Sequence, residues 1–590
     1  MRIAVLLEEK CQPDRCSYEC INYCPMVRTG DETIVKTEDA VRISEELCEG
    51  CGICVDKCPF DAIKIINLPE ELDTDLIHQF GENSFRLYRL PLPEKGLVTG
   101  LLGANGIGKT TAIRMLSGEI IPNLGDYEID VSLDKVIERY SGTALGDYFK
   151  SLADGEIDTA LKPQYVNKIP AHYSGKVEDL LSRIGDDYER WVEALEIENT
   201  LDSKVTNLSG GELQRVAIAA TSTKEADVYF YDEPSSYLDI RQRLKVAEAI
   251  KEKSEDSRVM VIEHDLAVLD FLADNVHLLY GSRGAYGVVS HPKGVRVAIN
   301  SYLRGFLDEE NIRFRDTEIT FEKRAPKSEW HSKPIIEYDK LVKEWDSFRL
   351  ETERGEIPEG EVIGIVGPNA TGKTTFVKML ADVIEPTEGE IKKDITVSYK
   401  PQYIKPDYEG RVIDLYRTEI GERLDEGFFR SNVLNPLNLE DLYEREVPNL
   451  SGGELQRVVL ALCLGRKSDL YLIDEPSAYL DAGRRMTAAK VIRRFMEKSD
   501  KGGMIVDHDV YFIDYVSDLI MNFSGEPGVK GKGEGPYEMR KGMNKFLKEV
   551  EITFRRDADT RRPRVNKLNS RLDRKQKSEG EYYYIGKMDQ

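Results

Sequence analysis

Apolar runs in the pattern of hydrophobic and polar positions predict strands at Leu97 to Leu102 and Val362 to Val366, each leading through a glycine-rich turn into a helical pattern. A helical period is plain further on. Leu133, Val136, Ile137 and Tyr140, then Leu145, Tyr148, Phe149 and Leu152, each occupy i, i+3, i+4 and i+7, with Ser141-Gly142 between them. That pattern predicts a helix–turn–helix hairpin. The run Val458 to Leu464 is apolar and makes its Cys463 a buried core thiol. No stretch approaches the roughly 18 uncharged apolar residues of a membrane helix. The opening Met1 to Glu8 is too short for a signal-peptide apolar region, so the chain is expected in the cytoplasm.

Much of the pattern is written twice, at a scale that about three to five domains in 590 residues would accommodate. Gly103-Ala104-Asn105-Gly106-Ile107-Gly108-Lys109-Thr110 recurs as Gly367-Pro368-Asn369-Ala370-Thr371-Gly372-Lys373-Thr374, and both fit G-x4-G-K-[ST]. After a strand and before a helix, such a loop turns its backbone N–H groups onto phosphates. Lys109 and Lys373 would meet the β/γ-phosphates, with the hydroxyls of Thr110 and Thr374 on Mg²⁺. Thr111 and Thr375 follow as further phosphate-side residues beside Asn105, Gly106, Gly108, Asn369, Ala370 and Gly372.

The cysteines add separate chemistry. Eight of nine fall before residue 59, as Cys11, Cys16, Cys20, Cys24 and then Cys48, Cys51, Cys54, Cys58. The second set, C-x2-C-x2-C-x3-C-P, has the spacing of a bacterial ferredoxin, whose fourth cysteine crosses to the neighbouring cluster. By that logic Cys11, Cys16, Cys20 and Cys58 hold one [4Fe–4S] cluster, and Cys48, Cys51, Cys54 and Cys24 the other. The first set is spaced x4, x3, x3 and departs from the simple pattern. Two four-cysteine zinc sites are the alternative.

Leu208-Ser209-Gly210-Gly211-Glu212-Leu213-Gln214-Arg215 recurs as Leu450-Ser451-Gly452-Gly453-Glu454-Leu455-Gln456-Arg457 and resembles the signature of ABC-type ATPases. The other family motifs follow in order. Asp232-Glu233-Pro234 and Asp474-Glu475-Pro476, ending apolar runs, resemble Walker B. Ser236-Tyr237-Leu238-Asp239 and Ala478-Tyr479-Leu480-Asp481 resemble the D-loop. Gln164 and Gln402, both in K-P-Q-Y, resemble the Q-loop glutamines that reach Mg²⁺, and His264 and His508 the switch histidines.

The resemblance assigns roles. Asp232 and Asp474 would reach Mg²⁺ through water, Glu233 and Glu475 would orient or deprotonate the attacking water, and the histidines would bond the γ-phosphate. Tyr88 and Phe348 stand 21 and 25 residues before the lysines, where the family places an adenine-stacking aromatic, with core packing as the rival reading. In such cassettes ATP is sandwiched between one phosphate loop and the other signature. Ser451, Gly452 and Gly453 would then serve the first loop, and Ser209, Gly210 and Gly211 the second.

The fold class that follows is α/β, with two ABC-type P-loop cassettes in one chain preceded by a ferredoxin-like double iron–sulfur domain. The expected boundaries are 1–70 for the cluster domain and 71–295 for the first cassette, 296–333 for a hinge, 334–540 for the second cassette, and 541–590 for a basic C-terminal hinge. Lysine to glutamine spans 55 residues in copy one and 29 in copy two, so copy one carries an insertion of about 26 residues, the hairpin at about 131–156. It reads as a partner platform or as a tolerated surface excursion. Asn369-Ala370-Thr371 against Asn105-Gly106-Ile107, and Ala478 against Ser236, predict unequal sites.

This combination resembles the E-subfamily of ABC proteins, the archaeal and eukaryotic ribosome-recycling factors also called RNase L inhibitors. The resemblance implies a monomeric ATPase that splits terminated or stalled ribosomes beside a release factor or Pelota-like protein, with structural clusters. An ATP-coupled redox enzyme and a transporter's ATPase pair are the alternatives. A net charge of −24 opposes a polyanionic partner in general. The charge is uneven: residues 551–578 hold ten Lys/Arg against four acids. That tail, and the stretch from Arg304 to Lys333, would meet ribosomal RNA, or else be merely solvated. Within the tail, Arg561, Arg562 and Arg564 are the expected contacts.

Overall fold

The computed structural model describes residues 2–45, 47–67, 75–129, 131–321, 334–393, 395–402 and 408–583. The chain divides into two compact units: Met1–Ser236 with Val246–His264 and Leu272–Asp316, and Tyr237–Lys245 with Asp265–Phe271 and Thr317–Gln590. These units do not follow the contiguous boundaries expected from sequence. Two short segments of the first cassette belong to the second unit, and the cysteine-rich segment packs into the first. The junction at 68–74, the hinge segment 322–333 with Lys333, and 584–590 lie outside the described residues.

In the first unit an eight-strand path runs in the order Leu76–Gln79, Arg86–Tyr88, Tyr286–Val289, Asn275–Ser282, Val98–Gly103, Arg258–Ile262, Val228–Asp232, Thr159–Lys162. From Asn275–Ser282 to the last strand all pairings are parallel. Val98–Gly103 and Val228–Asp232 are buried at every position, as strands covered on both faces must be. The second unit repeats this order with Val342–Glu344, Arg349–Thr352, Lys530–Glu538, Leu519–Glu526, Val362–Val366, Gly502–Val506, Leu470–Asp474 and Val397–Lys400.

The insertion in copy one forms helices Leu133–Arg139 and Ala144–Ala153. Val136, Tyr148 and Phe149 enter the first unit's core, and Leu133, Ile137, Tyr140, Leu145 and Leu152 pack against it. All eight periodic positions therefore face inward.

The cysteine-rich segment pairs Arg2–Leu6 with Ile63–Asn67, and Ile34–Lys36 with Val41–Ile43. A buried asparagine locks it to the hairpin between Leu76–Gln79 and Arg86–Tyr88. Asn83 Nδ2 donates to the carbonyls of Ala4 and Ile43 at 3.2 and 2.8 Å, while its Oδ1 accepts from the Ile43 N–H at 2.8 Å. Beside it Arg86 pairs with Glu45.

Candidate active site

Each phosphate loop joins a buried strand to a helix, Lys109–Leu116 in the first unit and Lys373–Leu380 in the second. Gly108 and Gly372 cap these helices at φ +94° and +95°, and a Cβ on either would lie 2.9 Å from a leucine, Leu87 or Leu350. Only glycine meets both demands. Lys109 Nζ donates to the carbonyls of Gly103 and Ala104 at 2.9 and 2.7 Å, and Lys373 Nζ to those of Gly367 and Pro368 at 2.8 and 2.6 Å. The lysines thus fold back over their own loops. Burial brings Lys373 down to about 8. Thr111 and Thr375 lie in the first turn of each helix, and Asn105 and Asn369 in each loop.

The acid pairs close each site. Thr110 Oγ1 donates to Asp232 Oδ2 at 2.8 Å, and Thr374 Oγ1 to Asp474 Oδ2 at 2.7 Å. Gln164 Nε2 donates to Glu233 Oε1 at 2.7 Å, and Gln402 Nε2 to Glu475 Oε1 at 2.6 Å. His264 and His508 place Nε2 3.5 Å from the same carboxylate oxygens. Burial, then the adjacent Glu233 charge, pushes Asp232 up to about 6. Burial alone would raise Glu233 too, but His264, Lys109 and Gln164 outweigh it and hold the carboxyl at about 2. One acid of the pair is thereby kept ionised beside the other.

The residues fit Mg²⁺. Oδ1 of Asp232 and of Asp474 is buried without a hydrogen-bond partner, beside a threonine hydroxyl and within the same cluster as a glutamine amide, which is an oxygen-donor set suited to a hard cation.

The signature serines cap helices Gly210–Thr223 and Gly452–Gly465 through capping boxes with Glu212 and Glu454. The glycines Gly210, Gly211, Gly452 and Gly453 form the first turn of each helix, where main-chain N–H groups have no intrahelical partner.

Two site expectations change. Tyr88 is 2% exposed in strand Arg86–Tyr88, edge-on to Tyr286, so its ring cannot receive a base. Phe85 stands where Phe348 stands in copy two. A Cβ on Gly108 would touch Phe85 at 2.9 Å, and one on Gly372 would touch Phe348 at 3.2 Å. Aligning the copies on Leu87 and Leu350 would have found it. The hairpins are alike in a further respect: Phe80 lies against Phe85, and Trp345 against Phe348. Likewise, Arg562 and Arg564 are not free for RNA. Arg562 is fully buried against Asp270, and Arg564 pairs with the same carboxylate.

Copy two also differs where expected. Ser236 Oγ donates to Glu233 Oε2 at 3.3 Å, a bond that Ala478 cannot make. Ala370 takes the left-handed φ of +57° that Gly106 takes at +73°.

The thiols form two sets. Cys11, Cys16, Cys20 and Cys58 line one pocket with Pro13, Val41, Phe60 and Ile63. The charges of Cys48, Cys51 and Cys24 act on the Cys54 thiol ahead of that of Cys20. Burial pushes Cys20 up to about 11 and Cys54 up to about 12, so thiolates there need cationic compensation of the kind that iron supplies. Among the described residues no three His, Cys, Asp or Glu side chains come close enough to hold one bare ion. A zinc centre, with four sulfurs at about 2.3 Å from one point, fits the C-x2-C-x2-C-x3-C-P run of the second set less well than a larger cluster does.

Two phosphate loops, two signature helices and two acid pairs on duplicated sheets define an ABC-type ATPase with both cassettes in one polypeptide. The family model described as "ABC transporter" matches residues 93–236 and 350–478; "Possible Fer4-like domain in RNase L inhibitor" matches 1–32, and "4Fe-4S binding domain" matches 41–64. The chain belongs to the E family of ABC proteins, the RNase L inhibitor family. It is 52% identical to an uncharacterized ABC transporter ATP-binding protein of Methanocaldococcus jannaschii, over 99% of this chain and 98% of that one. Against translation initiation factor RLI1 of Saccharomyces cerevisiae the figures are 42%, 99% and 98%. A solved structure described as a model of ribosome-bound archaeal Pelota and ABCE1 superposes with TM-score 0.93 at 52% identity, covering 99% of each chain. The complex of archaeal ribosomal stalk protein aP1 with the archaeal recycling factor aABCE1 gives 0.84 at 54% identity, over 88% of this chain and all of that one. The protein is thus an ATPase whose cofactors are [4Fe–4S] clusters and Mg²⁺. No helix among the described residues is long and apolar enough to cross a membrane.

Proposed function

We propose that this protein is an ATP-dependent ribosome-recycling factor of the cytoplasm, splitting terminated or stalled ribosomes into subunits beside a release factor or Pelota-like protein. The observation that carries the reading is the coexistence, in one chain, of two complete acid-pair sites and a docked cysteine-rich domain, together with full-length similarity to a ribosome-bound relative.

At each site the loop N–H groups and Lys109 or Lys373 hold the phosphates. Glu233 and Glu475, kept ionised, take a proton from the attacking water, and Gln164 and Gln402 aim those carboxylates. His264 and His508 bond the γ-phosphate and register its loss. Thr110 and Gln164, or Thr374 and Gln402, with Asp232 or Asp474 beside them, would hold Mg²⁺, which would supply neutralisation of the phosphate charge. Cys11, Cys16, Cys20 and Cys58 hold one [4Fe–4S] cluster and Cys24, Cys48, Cys51 and Cys54 the other, and these fix the fold of a segment that docks through Asn83. ATP drives closure by binding the closed state more tightly, and hydrolysis reopens it.

Contacts to ribosomal RNA fall to the exposed cations of the tail: Arg561, Lys567, Arg571, Arg574 and Lys575. The test is sedimentation of ribosomes with this protein, a release factor, and either ATP or a non-hydrolysable analogue. A rise in free subunits with nucleotide is expected; an unchanged ratio under every nucleotide would remove the proposed function.

A further inference from the structure

Lys162 and Lys400 end the strands Thr159–Lys162 and Val397–Lys400, next to the strands that carry the acid pairs, and both are 0% exposed. Neither belongs to a phosphate loop, yet a buried ammonium must be satisfied by hydrogen bonds. Lys162 Nζ donates to the carbonyls of Asp232 and Glu233 at 2.8 and 3.3 Å. Lys400 Nζ donates to those of Asp474 and Pro401 at 2.8 and 3.1 Å. The partner common to both copies is the aspartate carbonyl, which belongs to the peptide plane leading into the catalytic glutamate.

That plane needs holding. Glu233 and Glu475 sit at φ +49° and +47°, in the left-handed region that residues with a Cβ avoid. The plane on the far side of each glutamate is gripped as well. Gln214 Nε2 donates to the Glu233 carbonyl at 2.7 Å, and Gln456 Nε2 to the Glu475 carbonyl at 2.6 Å. A lysine in front and a glutamine behind therefore fix both planes about a strained residue. Rotation of either would swing the carboxylate away from Gln164 or Gln402. The pair persists in both copies although Gly106 and Ser236 became Ala370 and Ala478.

We propose that Lys162 and Lys400 are positioning residues for hydrolysis, each using a buried ammonium to hold the left-handed backbone that aims its catalytic glutamate. This rests on the reading that Glu233 and Glu475 activate water. The role asks for a long donor reaching in from the neighbouring strand, and predicts that binding of ATP is spared.

The experiment uses the full chain with its clusters assembled. K162M/K400M is expected to lower kcat about a hundredfold, the scale of a misplaced catalytic group. KM for ATP should stay within about twofold, since ground-state binding is untouched. Nucleotide retained by the protein should be recovered as ATP, not ADP. K162Q/K400Q, which keeps a neutral donor, should recover about tenfold of the loss, the value of about one hydrogen bond. In an E233Q/E475Q background, adding K162M/K400M should change residual turnover less than about twofold, because a positioning residue has nothing left to position. A kcat near that of the parent, an undiminished further loss in the glutamine background, or loss of nucleotide binding and cooperative melting in both lysine variants would overturn the proposal. If E233Q/E475Q alone leaves turnover unchanged, the glutamate reading falls and takes the proposal with it. If that variant is slow and K162M/K400M is not, only the lysine role falls.

Discussion

Replacing Asp270 by leucine removes the anion from a buried ion pair in the second unit. Arg562 and Asp270 are both 0% exposed, with Arg562 Nη1 donating to Asp270 Oδ2 at 3.0 Å and to the Tyr511 hydroxyl at 2.6 Å. Arg564 adds Nε and Nη2 donors at 2.7 and 2.8 Å, so one carboxylate takes three charged hydrogen bonds. Leucine would strand the Arg562 guanidinium, and breaking a buried pair in this way costs about 3–5 kcal/mol. The lower end is expected, because Arg564 has Asp557 Oδ2 at 3.6 Å as a second anion. R562M should cost less, about 2 kcal/mol, since Arg564 still neutralises Asp270 and only the hydrogen bonds of Arg562 are lost. A multidomain chain with clusters has no single unfolding energy. The assay is therefore hydrogen exchange by mass spectrometry on peptides covering 265–271 and 554–565, which reads local opening. At about 1.4 kcal/mol per tenfold, D270L should speed the slowest amides there about a hundredfold. The D270L/R562M pair should return most of that protection, because an apolar replacement of a buried ion pair is close to neutral. An acceleration below about fivefold in D270L, or a double variant as labile as D270L, would refute the reasoning.

Phe85→Ala should raise the KM for ATP about tenfold, the worth of one stacked base, while Tyr88→Leu, which removes a ring buried in the sheet, leaves it unchanged; steady-state kinetics with equal effects would restore Tyr88. Gly108→Ala forces a Cβ to 2.9 Å from Leu87 and Phe85 at φ +94° and should abolish nucleotide binding at the first site, read by fluorescent-nucleotide titration. Ala370→Gly relieves a left-handed alanine worth about 1 kcal/mol and should slow local opening of its loop about fivefold, read by hydrogen exchange on peptides covering 367–380; faster exchange would show that the loop does not carry that strain. Arg571, Arg574 and Lys575 replaced together by alanine should make the salt dependence of ribosome association shallower by about 2–3 in log–log slope, whereas R562M should not change it.

The ATPase half of this molecule was legible because its chemistry lies in contiguous motifs whose order and spacing repeat. The strand at Val98–Gly103, the acid pairs ending Val228–Asp232 and Leu470–Asp474, and the inward face of the hairpin helices all follow from local pattern. Tyr88 misled because spacing alone does not say which of two aromatics three positions apart, Phe85 or Tyr88, lies inside the sheet. Counting back from the lysines places Tyr88 21 residues before Lys109 and Phe348 25 before Lys373, whereas Phe85, at 24, is the position that matches Phe348. Lys162 and Lys400 were visible as part of K-P-Q-Y, yet a lysine before a glutamine suggests a solvated strand end. Its burial depends on a strand about 70 residues later placing two carbonyls beside it.

The basic tail shows why charge counting stops short of an interface. Arg556 is held by Asp514 through Nη1 and Nη2 at 2.8 and 2.7 Å, Arg562 and Arg564 by Asp270, and Arg555 donates to Asn566 at 2.6 Å. Asp270 precedes its arginines by nearly 300 residues, so no local window could have paired them. In the strand pair Phe554–Arg556 and Pro563–Val565, with Arg562 just before it, the arginines thus go to internal partners, three of them to carboxylates and Arg555 to an amide, and the helix Arg571–Glu579 keeps most of its cations outward. One segment of net positive charge divides by side-chain direction into a folding element and an exposed basic one. That division requires the salt dependence of ribosome binding and the stability of the tail to respond to different arginines.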